Sequence, residues 1–436
     1  MNKHGLFKNI ASLGVVQVAN LILPLISIPI ISRIIGPDKF GVVNYAATFI
    51  GYFTLLIDYG FNLTAIRRVA KNPNNKELRD LVFSEVLYAK IFLFLISIVL
   101  FIPCVLFFEP LYLEKKVAVF TFLTCIASLL SQNWFFQAMQ DLSKVAVLNF
   151  LSKLLFTIFV LLLVRQKQDY IWMPLITSLV AILVGWISYY WGIRKYNIIL
   201  RRISLKKIFN LLNREKTIFF STVVINLYTA TNIVVLGMLQ NEESVGYYTA
   251  AQKLILISIG VINLPLSQAF YPYIGKAFGK SKEEGLQTTH KIFPWVIILT
   301  SISGIIMYLF AGIGINILYG NDFRPSIQVF RILTLVPLLI AISNSFGIQI
   351  MMNLNMDKLF FRITSSGALF GLVLNVIMIK WLGYIGTAWN WLLVELYITI
   401  TMYIMLKKQG INPISWKEFK LIRLKQCIQL MFNRAK

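Results

Sequence analysis

The sequence predicts an all-α polytopic membrane protein of about twelve transmembrane helices, and three observations predict it. Of 436 residues, 58% are hydrophobic and only 14% are charged, against roughly 25% charged in an ordinary soluble chain. A soluble globule is excluded. The charged residues are bunched, leaving apolar stretches of 18 to 26 residues, each near the roughly 20 that cross the hydrocarbon of a bilayer. The basic residues also fall mostly on alternate connectors, the bias that cytoplasmic loops carry.

Hydropathy places the helices at 11–35, 41–64, 86–108, 117–139, 144–164, 171–191, 217–239, 246–271, 293–318, 327–352, 360–380 and 384–406. No strand is needed. The opening MNKHGLFKN runs directly into the first apolar segment without a small-residue cleavage pattern, so a retained first helix is expected. With the N-terminus inside, 32 of the 42 Lys and Arg lie on inner segments, those from Arg67 to Lys90 among them. Nine lie outside and Lys253 lies within a span. An even number of spans with both termini cytoplasmic follows. The net charge of +24 is therefore read as topology, not as nucleic-acid binding.

GPDKFGVVNYAATFI, leading into the second helix, echoes QNEESVGYYTAAQKLI, leading into the eighth, with Gly41 aligned to Gly246 and Ala46 to Ala251. The repeat equates helices 1–6 with 7–12 in the same orientation, so its axis runs along the membrane normal. Four segments are expected: an N-terminal lobe (1–191), a basic cytoplasmic connector (192–216), a C-terminal lobe (217–406) and a basic amphipathic tail (407–436). The connector mixes Ile, Leu and Phe with Lys and Arg at helical spacing, as suits a helix on an anionic leaflet. In the tail, Ser415 and Glu418 read as a capping box.

No catalytic constellation is present. His4 and His290 lack Cys or carboxylate neighbours at ligand spacing, and Cys104, Cys125 and Cys427 make neither a disulfide framework nor a metal cluster. Gly275 to Ser281 imitates a P-loop but has three residues between its glycines and follows an apolar helix instead of a strand. An enzyme, a cofactor and a metal are not expected.

Polar residues inside spans carry the functional signal, because a charge at membrane depth is costly and faces a cavity, a partner or a pathway. Lys153 and Lys253 are the clearest. Arg33 closes the first helix, which also holds Gln17 and Asn20; Asn149 lies one turn before Lys153; and Asn226, Thr229 and Asn232 lie near one face of the seventh helix. Together they would line a polar, net positive cleft, or else make separate hydrogen bonds between packed helices. A cationic cleft favours an anionic lipid headgroup. Asp58 either couples transport to H⁺ or Na⁺ or pairs with Arg67 or Arg68, and Glu395 either carries protons or meets a lysine. Pro24 and Pro29 would bend the first helix into a gate, with further kinks at Pro265 and Pro337. Gly367 and Gly371 form a GxxxG that suits close helix packing.

Several segments resemble the polysaccharide flippases of the multidrug/oligosaccharidyl-lipid/polysaccharide exporter superfamily. They are ISRIIGPDKFGVVNYA, LIDYGFNLTAIRRVA, WFFQAMQDLSKVAVLNFLSKLLF, GYYTAAQKLI and ILYGNDFRPSIQVFRIL. The resemblance spans residues 5 to 406, and WFFQ is its most specific piece. It implies two six-helix lobes in a V like that of the multidrug (MATE) exporters. It also implies alternating access driven by H⁺ or Na⁺ and a substrate glycan joined through diphosphate to undecaprenol. Lys153, Lys253 and Arg33 would face the diphosphate, and Asn and Gln side chains the sugars. Membrane lipids and polysaccharide polymerase machinery are the expected partners, in the cytoplasmic membrane of a bacterium. The competing reading is a cation-coupled multidrug exporter, against which the lysines at depth argue.

Overall fold

The computed structural model describes residues 3–419, with side chains described for most positions from Leu23 onward. The side chains of Gln17, Asn20 and Thr229, and the tail beyond Phe419, lie outside the described residues. No strand occurs among those described. Among the described residues, ten helical stretches are long and apolar enough to cross a membrane. The other two expected spans fall in the N-terminal arm of the first helix and in Leu205–Leu239, which contributes the shorter apolar stretch Ala230–Leu239. Many outward side chains are large and apolar, such as Val99, Phe107, Ile305, Leu369 and Trp381. Such a surface suits lipid, and the protein is a multi-pass membrane protein.

The chain divides into two compact units, one of the described residues up to Val223 with Asn241–Gly246 and Leu318–Asp322, the other of the remainder. The first unit holds α1 (Lys3–Asp58), α2 (Phe61–Ala70), α3 (Lys76–Phe107), α4 (Glu109–Leu113), α5 (Lys115–Phe122), α6 (Thr124–Leu130), α7 (Asn133–Ala138), α8 (Leu142–Leu163) and α9 (Trp172–Tyr196). Within α1 the backbone stays helical at Pro24 and Pro29 and breaks at Gly36, where φ is +74°. A proline drives the residue before it out of the helical region, and only glycine takes the positive φ freely, so the Gly36-Pro37 pair makes the break.

The expected span 117–139 is interrupted twice. Its second break, at Ser131 and Gln132, is satisfied by the Ser188 hydroxyl, which accepts from the Gln132 N–H at 2.9 Å. WFFQ follows on α7. Trp134 donates to the Gln132 side chain at 3.0 Å, and Phe135 packs edge-on to Phe83 and Tyr196. These rings anchor the core of the first unit, with Phe61, Val82, Val86 and Leu211. The connector differs from a continuous helix. Residues 198–204 are irregular, and Asp80 and Ser84, buried on α3, accept the N–H groups of Ile199 and Arg201 at 3.1 and 2.9 Å. Its helix begins only at Leu205, the start of α10 (Leu205–Leu239).

Gly41 and Gly246, the aligned glycines of the repeat, meet each other's chain. A Cβ on Gly41 would lie 1.8 Å from the Glu242 carbonyl oxygen, and one on Gly246 would lie 2.0 Å from that of Pro37. The contact is reciprocal, each glycine lying four residues beyond the carbonyl that faces the other, which is the pattern a local twofold produces. Beside it, Lys39 pairs with Glu114 at 2.9 Å, Tyr170 donates to the same carboxylate at 2.6 Å, and Lys167 pairs with Asp38 at 2.9 Å.

The second unit holds α11 (Glu242–Ser258) from Tyr247 onward, α12 (Leu264–Phe278), α13 (Lys282–Leu309), α14 (Ala311–Leu318) up to Ile317, α15 (Ser326–Leu333), α16 (Val336–Asn344), α17 (Asp357–Leu382) and α18 (Tyr384–Lys408). Pro265 and Pro337 each open a new helix in its first turn, where the missing N–H removes no helical bond. Wide π-helical turns at Ile259–Asn263 and Ser345–Met351 interrupt the expected spans 246–271 and 327–352. Gly367 and Gly371 lie against Ile398 and Val394 of α18, so the GxxxG is a packing face.

Two measurements check this fold. Gly41→Ala and Gly246→Ala should each destabilise the purified protein by about 2 kcal/mol or more, since backbone cannot give way as a side chain can; an unchanged melting temperature would refute the reciprocal contact. Asp141, between α7 and α8, is pushed up by burial. Hydrogen bonds from Lys195, Ser143 and Tyr196 outweigh this and hold it below the usual carboxylate range. Its stabilisation is present above about pH 4 and is lost as pH falls through the lowered value. Asp141→Asn should therefore lower the melting temperature at pH 7, with the gap to the natural protein closing below about pH 4.

Candidate functional site

The first unit holds a polar cavity of about 330 Å³, open on one side, among otherwise apolar helices. Its centre is an ion pair. Helix α1 ends at Asp58 because Tyr59 and Gly60 turn into the left-handed region, which leaves the carboxylate at the cavity wall. Lys90 lies fourteen residues into α3, about 21 Å along it at 1.5 Å per residue, and its side chain is 2% exposed. Its ammonium donates to Asp58 Oδ1 at 2.8 Å and to the Ser128 carbonyl at 2.9 Å, while the Ser128 hydroxyl donates to the same Oδ1 at 2.9 Å. The ammonium is withdrawn from water while the carboxylate is one-third exposed to the cavity, and the two together carry no net charge.

Asp58 therefore pairs with Lys90, not with Arg67 or Arg68; Arg68 is engaged by Glu85 at 2.8 Å. The turn at Tyr59 and Gly60 separates α1 from α2 and carries the arginines away from the end of α1. Lys90, counted in the sequence with the basic residues of an inner segment although it falls inside the expected span 86–108, is buried on α3 and paired there. Around the pair, Asn62, Ser131, Asn133, Asn149 and Ser152 complete a wall of amides and hydroxyls. Such a wall can hydrogen-bond a neutral polyhydroxylated group in several orientations.

Of the residues singled out in the sequence, Asp58 and Asn149 line this cavity. Lys153 lies one turn beyond Asn149 on α8 and is half-buried. Arg33 is exposed, with its stem against Gly320. Asn232 is buried and accepts from Asn390 at 2.9 Å, one of the interhelical bonds anticipated for such residues. Asn226 on α10 and Lys253 on α11 are half-buried, and Glu395 is buried on α18. Lys90, Ser128, Asn62 and Asn133 were not singled out. Lys90 had a readable signal, because it sits inside the hydropathic window 86–108.

Fold and cavity define the class: a multi-pass membrane protein, helical and without strands among its described residues, with a polar cavity between its helices. The fold is similar to that of the lipid II flippase MurJ in an inward closed conformation, with a TM-score of 0.77 at 15% identity over 97% of this chain and 92% of that one. It is also similar to a multidrug resistance MATE family transporter in an inward-facing conformation, with a TM-score of 0.69 at 14% identity, covering 91% and 94%. Residues 6–278 match the family described as "Polysaccharide biosynthesis protein", and the chain belongs to that family. A relative from Escherichia coli strain K12, named "Putative O-antigen transporter", is 28% identical over 407 residues, 93% of this chain and 98% of that protein.

The ion pair has its own test. Lys90→Met leaves the Asp58 carboxylate without its cation and should cost roughly 3 kcal/mol. Adding Asp58→Asn should recover at least half of that loss. Melting temperatures of the purified single and double variants decide it; losses that simply add would show that the two groups are not coupled.

Proposed function

We propose that this protein flips undecaprenyl-diphosphate-linked oligosaccharide repeat units from the inner to the outer leaflet of a bacterial cytoplasmic membrane, for surface polysaccharide synthesis. The observation that carries the reading is a sizeable amide- and hydroxyl-lined cavity inside helices whose outer faces suit lipid. A polar chamber in hydrocarbon serves a polar cargo, and family membership and the near full-length Escherichia coli relative support a glycan as that cargo. The sugars would lie against Asn149 and its neighbours, the diphosphate against Lys153, Lys253 and Arg33, and the lipid tail in the bilayer. The two lobes, 1–191 and 217–406, would alternate access with both termini cytoplasmic, coupled to H⁺ or Na⁺ through Glu395.

The neutral pair also weighs against a multidrug exporter. A cationic drug needs an unpaired carboxylate, and the Asp58 carboxylate is already engaged by Lys90.

Deleting the gene and quantifying undecaprenyl-diphosphate-linked oligosaccharide by mass spectrometry tests the reading. Accumulation of the lipid-linked unit with loss of surface glycan is expected. Normal levels of both, with raised sensitivity to cationic drugs, would favour the multidrug exporter. Lys153→Ala or Lys253→Ala, supplied to the deletion strain at normal protein level, should restore less than a tenth of the surface glycan; full restoration by both would remove the diphosphate clamp.

A further inference from the structure

The fold uses only half of the Asp58 carboxylate. Its Oδ1 accepts from the Lys90 ammonium at 2.8 Å and from the Ser128 hydroxyl at 2.9 Å. Its Oδ2 accepts no hydrogen bond from the described residues. Both donors converge on one oxygen, which fixes the orientation of the group and leaves the other oxygen over. The Lys90 side chain is 2% exposed and that of Asp58 33%, so the cavity meets chiefly the negative end of the pair.

The rest of the wall is similarly unspent. Asn62, Ser131, Asn133, Asn149 and Ser152 line the cavity, and their side chains make no hydrogen bond within the described residues. Free amides and hydroxyls suit a ligand that both donates and accepts, whereas Oδ2 suits one that donates. Among the described residues, Lys90 is the one cation in the lining, and no aromatic ring lies there. Selection in this cavity therefore rests on hydrogen bonding and charge, not on stacking.

We propose that Asp58 is a specificity-determining residue, whose second carboxylate oxygen selects an uncharged sugar bearing hydroxyl or acetamido donors and excludes a uronic acid from this cavity. The inference rests on the glycan reading above and names the class of sugar. A sugar hydroxyl or acetamido N–H donating to Oδ2 makes a charge-assisted bond, stronger than one to a neutral oxygen. A sugar carboxylate there would lie beside the charge of Asp58, and the one cation of the lining is already committed. Like charges so placed repel strongly where little water screens them. Lys90 and Ser128 act as positioning residues: one offsets the charge of Asp58 among apolar helices, both hold Oδ1, and Oδ2 is left for cargo. Asp58→Asn would keep an acceptor, remove the charge and release Lys90, so the sign of the selection depends on Asp58 and not only its strength.

The test uses the purified full-length protein in detergent and three synthetic farnesyl-diphosphate probes, one bearing glucose, one bearing glucuronic acid and one without a sugar. The two sugars differ only in a hydroxymethyl group against a carboxylate. Affinities are read from ligand-induced shifts in melting temperature. The glucose probe should bind about tenfold tighter than the glucuronic acid probe, or more. In Asp58→Asn, where Lys90 has lost its anion, the order should reverse. If that variant does not fold, Asp58→Asn combined with Lys90→Met, which carries neither charge, should bring the ratio below about threefold. Two sugar probes that bind alike and tighter than the bare lipid diphosphate, or a ratio that the variants leave unchanged, overturn the proposal, leave Oδ2 to water and keep the glycan reading intact. Sugars that add nothing to the binding of the bare diphosphate overturn it together with the glycan reading, which the gene deletion tests by itself.

Discussion

A backbone in hydrocarbon has no water to turn to, so every interruption of a membrane helix must find its partners inside the protein. Much of this structure follows from that constraint. The break between α6 and α7 is met by the Ser188 hydroxyl and opens beside the polar cavity of the first unit. The π turns at Ile259–Asn263 and Ser345–Met351 both border a small cavity in the second. Polar side chains and irregular backbone occur together because each supplies what the other lacks. The uninterrupted helices, such as α3 beyond Lys90 and α13, can then turn their apolar faces outward.

The Gly36-Pro37 break belongs to the same economy of space. It ends one helical arm and starts the next beside Glu242–Gly246, where two backbones approach to a distance that only glycine permits. The reciprocity of the Gly41 and Gly246 contacts gives the short sequence repeat a physical meaning. Two copies of one segment, each carrying its glycine at the same offset, can pack against each other about a local twofold with no residue specialised for either side.

The fold class was legible because hydrophobicity and charge placement are one-dimensional properties that survive without contacts. The breaks were less so. Gly36-Pro37 announces itself, but π turns leave no strong local signature, and the irregular segment 198–204 depends on Asp80 and Ser84, more than a hundred residues away. The site was half legible for the same reason. Asp58 and Asn149 stand out as polar residues in apolar runs, while Lys90, four residues into its expected span, was counted with the basic residues that precede it. Ser128 and Asn133 are unremarkable in sequence; only the packing of α1, α3, α6, α7 and α8 brings them to one wall.

The pairing of Lys90 with Asp58 changes how the remaining charges are read. From the sequence, a lone carboxylate on α1 was open to an ion-coupling role, and the lysines at depth were read together as one positive cleft. With Lys90 opposite Asp58 at 2.8 Å, the cavity of the first unit is polar but close to neutral. Neutral, hydrogen-bonding walls suit sugars, whose hydroxyls both donate and accept, and they bind a diphosphate poorly. On the proposed function, the two chemical halves of the substrate would then be met by different groups, the glycan by amides and hydroxyls and the diphosphate by Lys153 and Lys253. Such a separation has a physical advantage. Sugar composition could change with the residues of one wall while the charge that offsets the diphosphate in a low-dielectric setting stays where it is.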